Sequence, residues 1–232
     1  MHSQVRTVGK EKLNTEVRQE QIVEAAMNLI ASRGLKGLNM AALANKIGLV
    51  PSAIYRHFKS KDDIVDVMLG VIRERLLTNI RMTCQETSEP LERLHRILER
   101  HVETLRENRA IPRLIFTEDV FAGKPKRRNK VYGIVVGYLE GLREIIRDGQ
   151  EKGHIRSDMD SKTIALMFLG MIQPGAILWF LSDGKFDIAN QLEKNWNVFK
   201  EAITANWILT FKRPGKKGGV NECHRSEGER SF

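Results

Sequence analysis

An all-α fold is predicted, and three observations predict it. Helical periodicity runs through nearly all of the 232 residues. No alternating apolar–polar runs flank an Asp-Gly or Asn-Gly pair in the manner of a hairpin. Hydrophobic residues make up 41% of the chain, enough to give several amphipathic helices a common core.

Taken in order, Ile22, Ala25, Ala26, Leu29 and Ile30 make one helical stripe that stops at Arg33-Gly34. A short helix is expected from Asn39 to Ile47, a turn at Gly48, and a second short helix from Pro51 to Phe58. Ser60 reads as an N-cap, with Asp62 and Asp63 beside the positive end of the helix dipole. The helix it opens carries Ile64, Met68, Ile72, Leu76 and Ile80. Pro90 opens the next one, with Leu91, Leu94, Leu98, Val102 and Leu105. Pro112 restarts a short helix through Phe121. A basic loop, Gly123 to Asn129, precedes a long helix to about Gln150, and Gly153 stops it. Asp160 and Asp187 cap the last two helices, the final one ending near Phe211. The Lys-, Arg- and Gly-rich tail, residues 212–232, is expected to be disordered.

Charge narrows the partner. The formal net charge is +9 and the pI about 9.7, which favours an acidic partner such as nucleic acid. Cys84 and Cys223 are too few and too far apart for a disulfide framework, and no metal spacing surrounds them. The polar N-terminus lacks the apolar core of a signal peptide. Residues 164–181 are interrupted by Gln173 and Pro174, so no membrane span is expected. A cytoplasmic location follows as the expectation. No nucleophile elbow, phosphate loop, HExxH string or dinucleotide fingerprint is present, so no enzyme, cofactor or metal site is expected.

Residues 18–63 carry the sharpest signal. Ala44 and Gly48 lie four apart: the first must be small so that a second helix can cross it, and the second must tolerate a left-handed backbone. Leu43, Ile47, Leu49 and Ile54 would fill the space between the two helices. The string RQEQIVEAAMNLIASRGLKGLNMAALANKIGLVPSAIYRHFKSKDDIVDVML resembles the DNA-binding module of the TetR family from end to end. Its most specific pieces are the Ile-x-x-Ala-Ala opening, Arg33-Gly34, Ala41 to Gly48, and Ile54-Tyr55-x-His57-Phe58-x-Ser60-Lys61. Ala53 departs from the family's usual glycine, and Pro51 from its usual small polar residue. Base preference therefore does not carry over from relatives.

The resemblance implies an N-terminal three-helix helix-turn-helix domain over residues 14–60 and a helical ligand-binding and dimerisation domain over 61–211. With side-chain chemistry it gives a set of DNA contacts. Asn39 caps the first motif helix, whose amino end can face a phosphate. Tyr55, His57 and Lys59 are phosphate candidates. Ser52, Ala53 and Arg56 are candidates for base edges, Arg56 alone being able to reach guanine bidentately. It also implies a homodimer built by the last two helices. The stripe Leu192, Trp196, Phe199, Ile203 and Trp207 suits that seam, and equally suits an internal core face.

A ligand pocket would be mostly apolar, with Met68, His95, Phe116, Tyr132, Tyr138 and Trp179 as candidate lining. His95 and His101 are six apart, on different faces, and form no metal pair. Gly133, Gly137 and Gly141 make one glycine face, read as a close-packing surface. The implied function is a transcriptional repressor, bound to double-stranded operator DNA and released by a small apolar effector. The alternative is an architectural DNA-binding protein with a protein partner and no small-molecule ligand.

Overall fold

A computed structural model describes residues 3–115 and 125–205, and these are helical almost throughout. The helices are α1 (Ser3–Arg33), α2 (Met40–Lys46), α3 (Pro51–Tyr55), α4 (Lys61–Glu86), α5 (Pro90–Glu107), α6 (Ala110–Ile115), α7 (Pro125–Glu151), α8 (Ser161–Leu181) and α9 (Ile188–Ile203). A short 3₁₀ turn, Leu35–Gly37, joins α1 to α2. Among the described residues no strand forms, and a single antiparallel bridge pairs Ile155 with Thr204.

The first three helices close over Ile22, Ala26, Ile30, Leu43 and Ile54, all essentially inaccessible to solvent. The expected caps form. Asn39 accepts from Ala42 N at 2.8 Å, Ser60 from Asp63 N at 3.2 Å, Asp160 from Thr163 N at 3.0 Å and Asp187 from Asn190 N at 3.2 Å. Each satisfies an amide that the first helical turn leaves without an intrahelical acceptor.

The second domain is a layered bundle. α7 packs on α4, α5 and α8; α9 closes the far side against α5 and α8. Phe168 and Phe199 meet edge to face, ring centroids 5.8 Å apart. Two connections tie this bundle to the first domain. α4 runs from one into the other, and α6 packs against α1.

Four expectations are corrected. The segment expected as a basic loop is already helical from Pro125, because proline is preorganised for the first helical turn. α9 ends at Ile203, not near Phe211: Thr204 turns extended to bridge Ile155, and Arg156 N donates to Ile203 O at 2.9 Å. Trp207 and the tail 212–232 lie outside the described residues. The glycine face packs at one point, where a β-carbon on Gly141 would come within 2.8 Å of Ile80 Cδ1; Gly133 and Gly137 face open space.

The fourth correction concerns the dimer seam. Leu192, Trp196, Phe199 and Ile203 are all at most 6% exposed within one protomer. They form the internal side of α9, packed on α5 and α8, and are unavailable to a second copy. Exposed apolar side chains cluster on α8, where Leu166, Met167, Ile177, Leu178 and Leu181 are 44–72% exposed, while α9 adds Val198 at 71%. By length and composition α8 is also the one described helix apolar enough to cross a membrane, but its other side fills the core.

One buried polar pair joins α5 to α7. His101 Nδ1 and the Tyr138 hydroxyl lie 3.0 Å apart, with the rings edge to face. Burial holds the His101 imidazole down to about 4, against an ordinary 6.5, and pushes the Tyr138 hydroxyl up. A histidine with a lowered folded pKa takes up its proton first in the unfolded chain. Its contribution to stability is therefore present above pH 6.5 and is lost as pH falls toward 4. Tm measured across that interval should fall more steeply for the native chain than for His101→Asn, and parallel slopes would contradict the buried neutral imidazole.

Candidate nucleic-acid interface and the buried cavity

α2, the turn and α3 build one surface. Gly48 has φ +69°, the left-handed conformation the turn requires, and Leu49 N donates to Ala44 O at 2.9 Å to close it. Pro51 begins α3, where its missing N–H costs nothing. Ile54 and Phe58 are the buried anchors of this five-residue helix.

The expected contacts divide under this geometry. Ser52, Tyr55, Arg56 and Lys59 are exposed, Tyr55 by 54%. Ala53 is 7% exposed and faces inward, so it leaves the base-edge set. A small residue belongs there because α3 crosses the bundle closely. His57 is half-buried, and among the described residues nothing lies in hydrogen-bonding range of its buried Nδ1. Only the other side of that ring is available to a phosphate. The sequence reading passed over Val50, which caps α3 and is 63% exposed. Its signal was an apolar residue just before Pro51, outside the helix proper. Lys36, Asn45 and Lys46 are exposed as well.

A cavity of about 70 Å³ lies inside the second domain, lined by α4, α5, α6, α7 and α8. Its walls include Ile72 and Leu76 of α4, Leu105 of α5, Ile111, Pro112 and Ile115 of α6, Ile134 of α7, and Leu169 and Ala176 of α8. Of the expected lining residues, the cavity brings in Tyr138 alone. Met68 is fully buried but lines the junction core below it. Trp179 is buried under the Arg109 guanidinium, 5.4 Å from the ring. Tyr132 is 69% exposed. Phe116 lies outside the described residues. His95 is partly exposed, contacts Glu193 at 2.9 Å and stacks on Trp196, so it is a surface-edge residue and not the core histidine. His101 takes that place. It sits in register with Leu94, Leu98 and Leu105 on the buried side of α5.

The cavity shares walls with the connections to the DNA-binding domain. α6 presents Ile111, Pro112 and Ile115 to it, while Arg113 of the same helix reaches the Ile30 carbonyl near the end of α1 at 3.5 Å. That guanidinium also lies over the Phe180 ring, 5.1 Å from its centroid. α4 begins at the end of the α3 linker, where Lys61 Nζ donates to Leu35 O at 2.6 Å, and passes Ile72 and Leu76 along the cavity. The start of α7 clamps the start of α4: the buried Arg127 donates to Asp62 at 2.7 Å, and Lys130 lies 3.3 Å from Asp66.

Comparison with known proteins agrees with this organisation. Residues 22–68 match the family model of bacterial regulatory proteins of the tetR family, and residues 72–202 match that of the YsiA-like protein C-terminal region. The nucleoid occlusion factor SlmA of Vibrio vulnificus (strain YJ016) is 24% identical over 84% of this chain and 98% of its own. The fatty acid degradation regulator FadR of Bacillus halodurans superposes with a TM-score of 0.70 at 22% identity, covering 78% of this chain and 94% of that one. FadR of Bacillus subtilis, solved in complex with stearoyl-CoA, gives 0.66 at 24% identity over 79% and 98%. With a helix-turn-helix module followed by a matching helical domain, the chain belongs to the TetR family of bacterial transcriptional regulators.

Proposed function

We propose that this protein is a dimeric repressor whose grip on operator DNA is released when a mostly apolar molecule enters the second-domain cavity. One observation carries the reading: the cavity walls are shared by α4 and α6, the two helices that meet the DNA-binding domain. A ligand weakens DNA binding only if it binds the released arrangement more tightly than the DNA-competent one. A space of about 70 Å³ supports such a difference, since an occupant larger than it must move a wall. Interiors are close-packed, so a wall helix moves as a body and takes its other contacts with it. For α6 those include Arg113 against Ile30, and for α4 they include the linker to α3. A coupling of about 1–3 kcal/mol would weaken DNA binding roughly five- to 150-fold. The stearoyl-CoA bound to the Bacillus subtilis relative supports an aliphatic occupant.

The small volume also gives one ground for the second reading, a DNA-bound factor that recruits a protein and needs no ligand. The relative named as a nucleoid occlusion factor points the same way. Ala176→Phe separates the two. It crowds the cavity from α8 as a ligand would, and the repressor reading expects a weakened operator affinity that no apolar compound weakens further. If compounds release the native protein and the variant alike, the cavity is not the effector site.

For the DNA surface, Lys59 is assigned to a phosphate, Arg56 to a base edge, and the methyls of Val50 to a thymine methyl. Lys59→Ala should lower the slope of log affinity against log salt by about one. An unchanged slope would remove Lys59 from the interface. Arg56→Ala should relax base preference by about 1–3 kcal/mol at one position, read by binding-site selection.

The dimer seam is assigned to the outer side of α8. Thr163, Met167, Gly170, Pro174, Ile177 and Leu181 are exposed at alternating steps of four and three, the spacing of a helix-pairing stripe, with its small residues at the centre. Leu181→Glu should yield a folded monomer that reads no two-site operator, whereas Phe199→Asp should unfold the protomer, because it buries an unpaired charge. A Leu181→Glu protein that keeps the native mass in solution would move the seam elsewhere.

A further inference from the structure

The cavity is not uniformly apolar. His101 from α5 and Tyr138 from α7 line it together, held to each other at 3.0 Å. Thr104 lines it too, but its hydroxyl already donates to Arg100 O at 2.8 Å and accepts from Asn79 at 3.3 Å. Gln173 adds an amide from α8, and among the described residues no Lys, Arg, Asp or Glu contributes to the wall.

The pair's protons can be counted. A neutral imidazole carries one N–H and a phenol one O–H. If the Tyr138 hydroxyl donates to Nδ1, the imidazole keeps Nε2–H as a donor and the phenol oxygen keeps a lone pair. If Nδ1–H donates instead, the hydroxyl is the remaining donor and Nε2 the remaining acceptor. Either way the pair has one donor and one acceptor beyond its mutual bond, and no net charge. Burial holds His101 to about 4, so at neutral pH it supplies no cation to meet an anion.

We infer that the cavity selects an aliphatic ligand bearing one uncharged oxygen, a carbonyl or a hydroxyl, set against the His101–Tyr138 pair, and rejects the same skeleton ending there in a carboxylate. The inference rests on the cavity being the effector site. A carboxylate would lose its hydration with no cation among the described wall residues, while a ketone loses little and gains the pair's donor. Charge is tolerated only on a part of the ligand that stays in water.

The test is calorimetric binding of 2-octanone, octanoate and toluene at neutral pH to the full chain and to its Tyr138→Phe, His101→Phe and Ala176→Phe variants. 2-Octanone should bind the native chain at least about tenfold more tightly than octanoate. Whichever of Tyr138→Phe and His101→Phe removes the free donor should weaken 2-octanone about fivefold or more while leaving toluene unchanged, which separates a lost hydrogen bond from a damaged fold. Octanoate binding as tightly as the ketone, or ketone binding indifferent to both Tyr138→Phe and His101→Phe, would overturn the polar assignment while leaving the effector site in place. If no probe shows binding that Ala176→Phe abolishes, the effector site falls and this inference with it.

Discussion

A helix of five residues cannot hold its own direction. α3 is far below the length at which an isolated helix persists in water, so its orientation is whatever its neighbours impose. Those neighbours are few and identifiable. Gly48 sets the angle to α2, Ile54 and Phe58 pin the inner side, and Ser60 starts the next helix at once. Lys61 then fixes that start to the Leu35 carbonyl. The geometry offered to DNA is thus decided at the first turn of α4 as much as within the motif.

That first turn is held from the second domain as well. Arg127 is nearly inaccessible, and it contacts Asp62, which is half exposed; Lys126 and Lys130 flank Asp66. Exposed ion pairs are weak, but a buried guanidinium cannot lose its carboxylate without a substantial cost. α7 thus ties α4 near the recognition helix and, three turns later, places Tyr138 at the cavity. α6 does the equivalent on the other side, with apolar residues on the cavity and Arg113 on α1. Three of the five helices around the cavity, α4, α6 and α7, therefore also touch the DNA-binding domain or the first turn of α4 that leads from it. A change at the cavity wall has short routes to α3.

The sequence made some of this readable and hid the rest, for physical reasons. The helix-turn-helix was legible because its determinants are local: a cap at Asn39, a left-handed glycine at 48, a small residue at 44 and a proline at 51. The α9 stripe was legible as a buried face, but periodicity says that a face is covered and not by what, so Trp196 and Phe199 were matched to a partner copy when α5 and α8 cover them. α8 was expected at the seam as one of the last two helices, but which of its sides faces out was not legible, because its inner side is equally apolar, leaving no contrast around the helix. An apolar pocket was expected, but its lining, Tyr138 apart, escaped because the wall comes from five helices. His101 shares the three- and four-residue register of Leu94, Leu98 and Leu105, but His95 shares that of Leu91, Leu98 and Val102, so periodicity alone did not choose between them. Ala53 was misread because a single alanine on a five-residue helix carries no periodic signal.

The central claim is that cavity occupancy and DNA binding are coupled through the protein. Coupling of this kind is reciprocal: whatever factor a ligand takes from operator affinity, the operator must take from ligand affinity. The most direct measurement is the dissociation constant of a cavity-binding ketone such as 2-octanone for the free protein and for the operator-bound protein. The account predicts weaker ketone binding to the complex, by the same factor as the ketone's effect on operator affinity. Equal affinity for the free and DNA-bound protein would contradict it.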